Sequence, residues 1–139
     1  MEAILAIQAA CPEIAQWTAW DYDRVARGEM AGWVATENSH VDAEVAGFLV
    51  ARRLSSELEI LNFAVGSESR RCGIGAKLLG ASLLWAQTFQ ATQAILEVRA
   101  SNLAALRFYA SHKFEVVGRR PRYYAAPVED ALLLTATLS

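Results

Sequence analysis

The sequence is short of several things, and each shortage narrows the chemistry open to it. There are only two cysteines, Cys11 and Cys72, far apart and in neither a metal-ligand spacing nor a Cys-x-x-Cys pair. A reducing cytoplasm is the expected setting. The two histidines, His40 and His112, are expected at the surface. Charge of neither sign is in excess: 13 Lys and Arg face 15 Asp and Glu, a net charge of −2. The molecule as a whole therefore offers nucleic acid or an acidic membrane no reason to bind. No apolar run reaches the roughly 18 residues that a membrane span needs. The start, Met1-Glu2-Ala3-Ile4, lacks the charged opening, apolar run and small-residue cleavage site of a signal peptide. No internal repeat, linker or low-complexity segment is visible.

What is present suits a single domain over residues 1–139: 54% of the residues are hydrophobic and 20% charged. A chain of this size buries roughly 70% of its unfolded surface, enough for a sizeable core.

Taken in order, residues 2–10 have helical spacing, with Ala3, Ile4, Ile7 and Ala10 or Cys11 on one side until Pro12 interrupts. Ile14, Trp17 and Trp20 are expected to be partly buried. Residues 21–27 form a short amphipathic helix, acidic early and basic late, stopped by Gly28. Residues 33–36 read as a strand and 37–42 as a polar turn. Residues 45–54 and 58–65 read as strands paired in a hairpin through Ser55-Ser56. The strongest helix spans 74–89, with Ile74, Leu78, Ala81 and Trp85 on one stripe widened by Leu79 and Leu83. Residues 94–98 are a short buried strand. Residues 102–111 are a helix with Ser101 or Asn102 as N-cap. Residues 114–118 and 132–138 are closing strands joined by a connection over 119–130. The sum is an α/β chain: a mixed sheet covered by helices, mostly an antiparallel meander with one parallel strand–helix–strand unit. Its ligand crevice belongs at the C-terminal ends of the parallel strands.

The run from Asn62 to Tyr109 organises the rest. Phe63-Ala64-Val65 leads into a basic glycine turn, Arg70-Arg71-Cys72-Gly73-Ile74-Gly75-Ala76, and then a helix. Free N–H groups and the dipole at a helix N-terminus make such a turn a place for a phosphate. The plain alternative is a turn with two glycines and solvated arginines.

These residues resemble the acetyl-CoA signature of the GNAT N-acetyltransferases. Leu96-Glu97-Val98-Arg99-Ala100-Ser101-Asn102, with Leu106, Phe108-Tyr109 and Phe114, is similar to one branch, as is Arg119-Arg120-Pro121-Arg122-Tyr123-Tyr124 followed by Glu129-Asp130-Ala131. That branch is the RimI-type ribosomal-protein-alanine N-acetyltransferases. The likeness is strong from about Val45 onward and weak before it. It implies the GNAT fold, a mostly antiparallel central sheet with one parallel pair and flanking helices. The sheet is expected to lack the first strand of that fold, because the sequence opens on helical spacing. It implies acetyl-CoA as co-substrate, no metal, and a protein N-terminus as acceptor, with a ribosomal protein carrying N-terminal alanine foremost. A monomer or weak dimer is expected. Departures include Gly66-Ser67 where a proline is common, Lys113-Phe114 in place of Gly-Phe, and Gln16-Trp17-Thr18 in the first loop.

The resemblance assigns roles. The N–H groups from Arg71 to Ala76 would take the pyrophosphate, with Gly73 and Gly75 allowing close approach and Arg70 and Arg71 adding charge. Backbone groups of Phe63, Ala64 and Val65 would take the pantetheine arm and give an N–H to the thioester oxygen, a donor that can lower a barrier by roughly 3–4 kcal/mol. Glu97 is the candidate base. Alternation puts it with Ile95 and Arg99 on one face, where it could instead simply pair with Arg99. A free Glu has a pKa of about 4.3, so it must be raised or must relay the proton through water. An α-amine titrates near about 8, so roughly a tenth is already neutral at neutral pH and a weak base suffices. Tyr109 is the candidate acid for the departing thiolate; Asn102, Leu106 and Tyr109 share a helical face, and Asn102 would touch the cofactor arm. Tyr123, Tyr124 and Glu129 would shape the peptide groove. No base is evident beside Cys72, so a covalent relay is left out. Two rival functions stay open: a GNAT acting on a small-molecule amine or a lysine side chain, and a non-catalytic acyl-CoA-binding module.

Overall fold

The computed structural model describes residues 1–38, 43–66, 73–125 and 127–138. Helices α1 (Glu2–Ala9) and α2 (Ala19–Ala26) come first, followed by β1 (Ala31–Asn38), β2 (Ala43–Leu54) and β3 (Glu57–Val65). Then come α3 (Ile74–Gln87), β4 (Gln93–Arg99), α4 (Leu103–Ser111), β5 (Glu115–Ala125) and β6 (Val128–Thr137). The strands form one six-stranded sheet in the order β1-β2-β3-β4-β6-β5. The β3–β4 pair is parallel and the other four pairs are antiparallel.

Local chemistry explains the elements. Thr18 caps α2 with a reciprocal box: its hydroxyl accepts from the Asp21 N–H at 3.2 Å, and the Asp21 carboxylate accepts from the Thr18 N–H at 2.8 Å. The α2 helix then ends at Gly28, whose φ of 81° is left-handed. The β2–β3 hairpin turns at Ser55-Ser56, with Ser55 itself left-handed.

Each face of the sheet carries a core. On the α3 and α4 side, Leu49, Ala51, Leu58, Ile60, Leu79, Leu96 and Leu134 pack together. On the α1 and α2 side, Cys11, Tyr22, Phe48, Val50 and Ala64 do. The buried row of α3 is Ile74, Leu78, Ser82 and Ala86, with Leu79 beside it. The expected stripe is thus rotated: Ala81 and Trp85 are only half-buried, and Trp85 turns to Trp33 and Phe89. Ser82 can be fully buried because its hydroxyl donates to the Leu79 carbonyl at 2.7 Å.

Other expectations are corrected. Trp20 is 76% exposed, because α2 turns Tyr22 inward instead. His112 is half-buried, its ring against Phe108; His40 lies outside the described residues. The connection over 119–130 is largely strand, since β5 runs to Ala125 and β6 begins at Val128. Between Arg120 and Tyr124 the register slips, and Arg122 adopts φ 51°. There Asp130 does the work of a ladder partner, accepting from the Arg122 N–H at 3.0 Å and from Arg119 at 2.6 Å. β5 lies at the sheet edge, where Pro121 leaves no interior ladder bond unmade.

Candidate active site

The parallel pairing between β3 and β4 is short. Glu57, Leu58 and Glu59 face Gln93, Ala94 and Ile95, and the pairing stops there. Against β2, Val50 faces Asn62 while Ala51 faces Ile60, so Leu61 is an extra residue in β3. This bulge swaps the faces of β3: Leu58 and Ile60, then Phe63 and Val65, turn to the α3 side, whereas Asn62 and Ala64 turn to α1 and α2. Beyond the bulge the two strands part, and a cleft of about 860 Å³ opens between their C-terminal halves. It passes through the sheet, because residues from both faces of β4 line it.

One wall is the open edge of β3. The Gly66 N–H donates to the Ala46 carbonyl at 2.7 Å. By alternation Ala64 also points at β2, while Phe63 and Val65 turn their N–H groups toward β4. The Phe63 N–H is met by Asn62 Oδ1 at 3.2 Å. Nearby, α3 starts at Gly73 with φ 78°, a conformation that costs an L-residue strain. The first helical bond runs from the Lys77 N–H to the Gly73 carbonyl, so the N–H groups of Ile74, Gly75 and Ala76 have no partner within the helix. Gly75 lines the cleft, and a Cβ there would stand 3.3 Å from the Phe108 ring. An open strand edge, a glycine-capped helix start and an apolar cleft fit a long thioester carrying a pyrophosphate. Arg70, Arg71 and Cys72 lie outside the described residues.

Glu97 and Tyr109 both line the cleft, from opposite faces of the sheet. Glu97 points away from buried Leu96 and Val98, as alternation requires, and is 26% exposed. Its partner is not Arg99: Arg120 of β5 stands 3.3 Å from Glu97 Oε1. Tyr109 is buried among Phe63, Phe108 and Phe114, with ring centroids 5.4–6.3 Å apart. Burial pushes its hydroxyl well above the usual tyrosine range. No hydrogen bond to that hydroxyl is found among the described residues, yet no enclosed side-chain oxygen or nitrogen there lacks a partner. Tyr109 itself lines the cleft. Asn102 caps α4, its Oδ1 accepting from the Ala105 N–H at 3.2 Å, and also lines the cleft.

Tyr123 and Tyr124 form the rim. The Arg99 guanidinium lies 4.1 Å from the Tyr124 ring centroid. Burial, before the nearby Glu97 charge, pushes the Tyr124 hydroxyl up. Glu129 is not on the cleft wall. It accepts from the Ser101 N–H at 2.7 Å and meets Arg99 at 3.4 Å, tying the start of α4 to the β5–β6 hairpin. Those hydrogen bonds, Ser101 first, hold its carboxyl below the usual range.

Three contributors were not assigned site roles from the sequence, although Asn62 opens the run singled out there. The segment 11–17 lines the cleft, Arg120 reaches in from β5, and Asn62 is buried beside Ala15. The one available signal was Asn62, a polar residue inside an apolar strand. Among the described residues no group of three or more His, Cys, Asp and Glu could hold a metal, and no helix is long and apolar enough to cross a membrane.

A mixed sheet whose single parallel pair splays ahead of a glycine-capped helix is the GNAT fold. The chain belongs to the acetyltransferase (GNAT) family, whose model matches residues 2–114. It is 33% identical over 100 residues to the [ribosomal protein bS18]-alanine N-acetyltransferase of Salmonella typhimurium, covering 70% of this chain and 68% of that one. It is 38% identical over 127 residues to an uncharacterized protein of Mycobacterium leprae, where 85% of this chain matches 32% of the relative. This chain thus spans about a third of that relative's length. The crystal structure of the ribosomal-protein-S18-alanine N-acetyltransferase from Escherichia coli matches 99% of this chain and 87% of its own, at 25% identity and a TM-score of 0.82.

Proposed function

We propose that the chain transfers an acetyl group from acetyl-CoA to the N-terminal α-amine of a protein in the cytoplasm, foremost a ribosomal protein with N-terminal alanine. The observation that carries this reading is the one cleft lined from opposite faces by Glu97 and Tyr109. Likeness to relatives named as protein N-terminal acetyltransferases supports the choice of acceptor.

Acetyl-CoA, when bound, supplies the activated acetyl group. Ile74, Gly75 and Ala76 present N–H groups to its pyrophosphate, with Gly73 setting the turn and Arg70, Arg71 and Cys72 completing it. Phe63, Ala64 and Val65 give a strand edge along the pantetheine, and Asn102 a polar contact. Glu97 takes the proton from the incoming ammonium, directly or through water, leaving a neutral amine to attack. A backbone N–H of β3 meets the oxyanion. Tyr109 gives its proton to the departing thiolate, and the second proton of the attacking nitrogen, lost as the amide forms, returns Tyr109 to its neutral form. Its raised pKa keeps it protonated until that moment. No covalent enzyme intermediate is needed. Tyr123 and Tyr124 shape the approach of the peptide, and Glu129 holds that rim in place.

The test is a panel of acceptors with acetyl-CoA: peptides differing in first residue, N-terminally blocked lysine peptides and free polyamines. Release of CoA thiol with N-terminal alanine peptides supports the reading. Release only with polyamine or lysine peptides overturns the acceptor. Acetyl-CoA binding with no turnover on any acceptor favours a binding module.

A further inference from the structure

One buried polar side chain fastens two lining segments of the cleft to each other. Asn62 is 4% exposed and sits just past the Leu61 bulge. Its Oδ1 accepts from the Phe63 N–H at 3.2 Å, on the open strand edge. Its Nδ2 donates to the Ala15 carbonyl at 3.1 Å, in segment 11–17, which also lines the cleft. The same Nδ2 reaches the Tyr22 hydroxyl at 2.9 Å and Gln8 Oε1 at 3.4 Å. Tyr22 donates to Gln8 Oε1, and Gln8 Nε2 donates to the Trp17 carbonyl at 2.6 Å. Gln16 Nε2 meets the carbonyls of Gln8, Cys11 and Ile14. Segment 11–17 has no helix or strand of its own; α1, β3 and this network hold it.

We infer that Asn62 is a positioning residue that couples the donor strand of the cleft to the lining segment over residues 11–17, and that this segment belongs to the acceptor side. This rests on the acetyl-transfer reading above. The physical reason is that a buried amide with all its bonds made has one orientation, since any rotation leaves a desolvated group unpaired. A ligand that fixes β3 at Phe63 therefore fixes the Asn62 amide, and through it the Ala15 and Trp17 carbonyls. Tyr22 supports the arrangement: burial pushes its hydroxyl up to about 12, so it remains a donor at working pH. Its ring keeps its own packing on Trp17 and Phe48, which allows the hydroxyl to be removed alone.

The experiment is hydrogen exchange over residues 11–17 with and without acetyl-CoA, in the unaltered chain, Asn62→Ala and Tyr22→Phe, beside calorimetric acetyl-CoA binding and the acceptor KM. In the unaltered chain acetyl-CoA should slow exchange in the segment. In both variants the slowing should be lost, while acetyl-CoA affinity stays within about threefold and acceptor KM rises about tenfold, or 1.4 kcal/mol. Should Asn62→Ala fail to fold, Tyr22→Phe decides alone. Equal slowing in the unaltered chain and the variants, or acetyl-CoA binding with no response of the segment, overturns the coupling and leaves the function intact. No acetyl-CoA binding by the unaltered chain overturns both.

Discussion

The Arg120 guanidinium reaches past β6 to stand 3.3 Å from Glu97 Oε1. On the proposed mechanism a substrate ammonium would approach that same carboxylate. Arg120 is more than half exposed and Glu97 a quarter exposed, so the pair adds only about 0–1 kcal/mol to stability. Arg120→Ala should leave urea unfolding almost unchanged. It should lower the KM for an amine acceptor by about threefold at low salt, and the difference should fade near 1 M salt, where the screening length is about 3 Å. Acceptor titrations at two ionic strengths check this.

Tyr109→Phe should cut kcat by about a hundredfold with little change in the acetyl-CoA KM. Its hydroxyl makes no hydrogen bond among the described residues, and its ring packing is kept. The melting temperature should therefore hold while turnover falls. Steady-state kinetics beside a thermal melt separates the two.

Gly73→Ala should destabilise the chain by about 1 kcal/mol through its left-handed φ alone, because nothing lies within 4 Å of the added methyl. The strain falls at the helix start proposed to meet the pyrophosphate, so acetyl-CoA affinity should drop as well. Denaturant unfolding and calorimetry read the two losses.

Glu129 and Asp130 both have carboxyls held below their usual range by hydrogen bonds. Such a group stabilises the fold above its unfolded pKa of about 4, and that stability is lost as pH falls through the lower folded value. The melting temperature should fall on acidification below that point, and Glu129→Gln should flatten the fall. Melts across the acid range measure it.

Much of this was readable from residue patterns. Alternation in β4 places Glu97 apart from buried Leu96 and Val98, and Asn102 followed by a helical run announces the α4 cap. What was not readable depends on pairing between distant strands. The cleft exists because the β3–β4 ladder stops at Glu59 and Ile95, and the extra residue Leu61 has no sequence mark. Glu97 finds Arg120 rather than Arg99 because Arg99 is held by Glu129 and the Tyr124 ring. The end of β5 reads as a connection in the sequence, whereas Asp130 supplies the hydrogen bonds a ladder would give. Trp20 reads as partly buried by residue type alone, but the turn of α2 sends it to solvent.

The most direct test is mass analysis of a peptide beginning with alanine, and carrying an internal lysine, after incubation with acetyl-CoA and the protein. The account predicts one added acetyl group on the N-terminal nitrogen, nearly abolished by Glu97→Gln and by Tyr109→Phe. Acetylation of the lysine alone, or N-terminal acetylation undiminished in both variants, would contradict it.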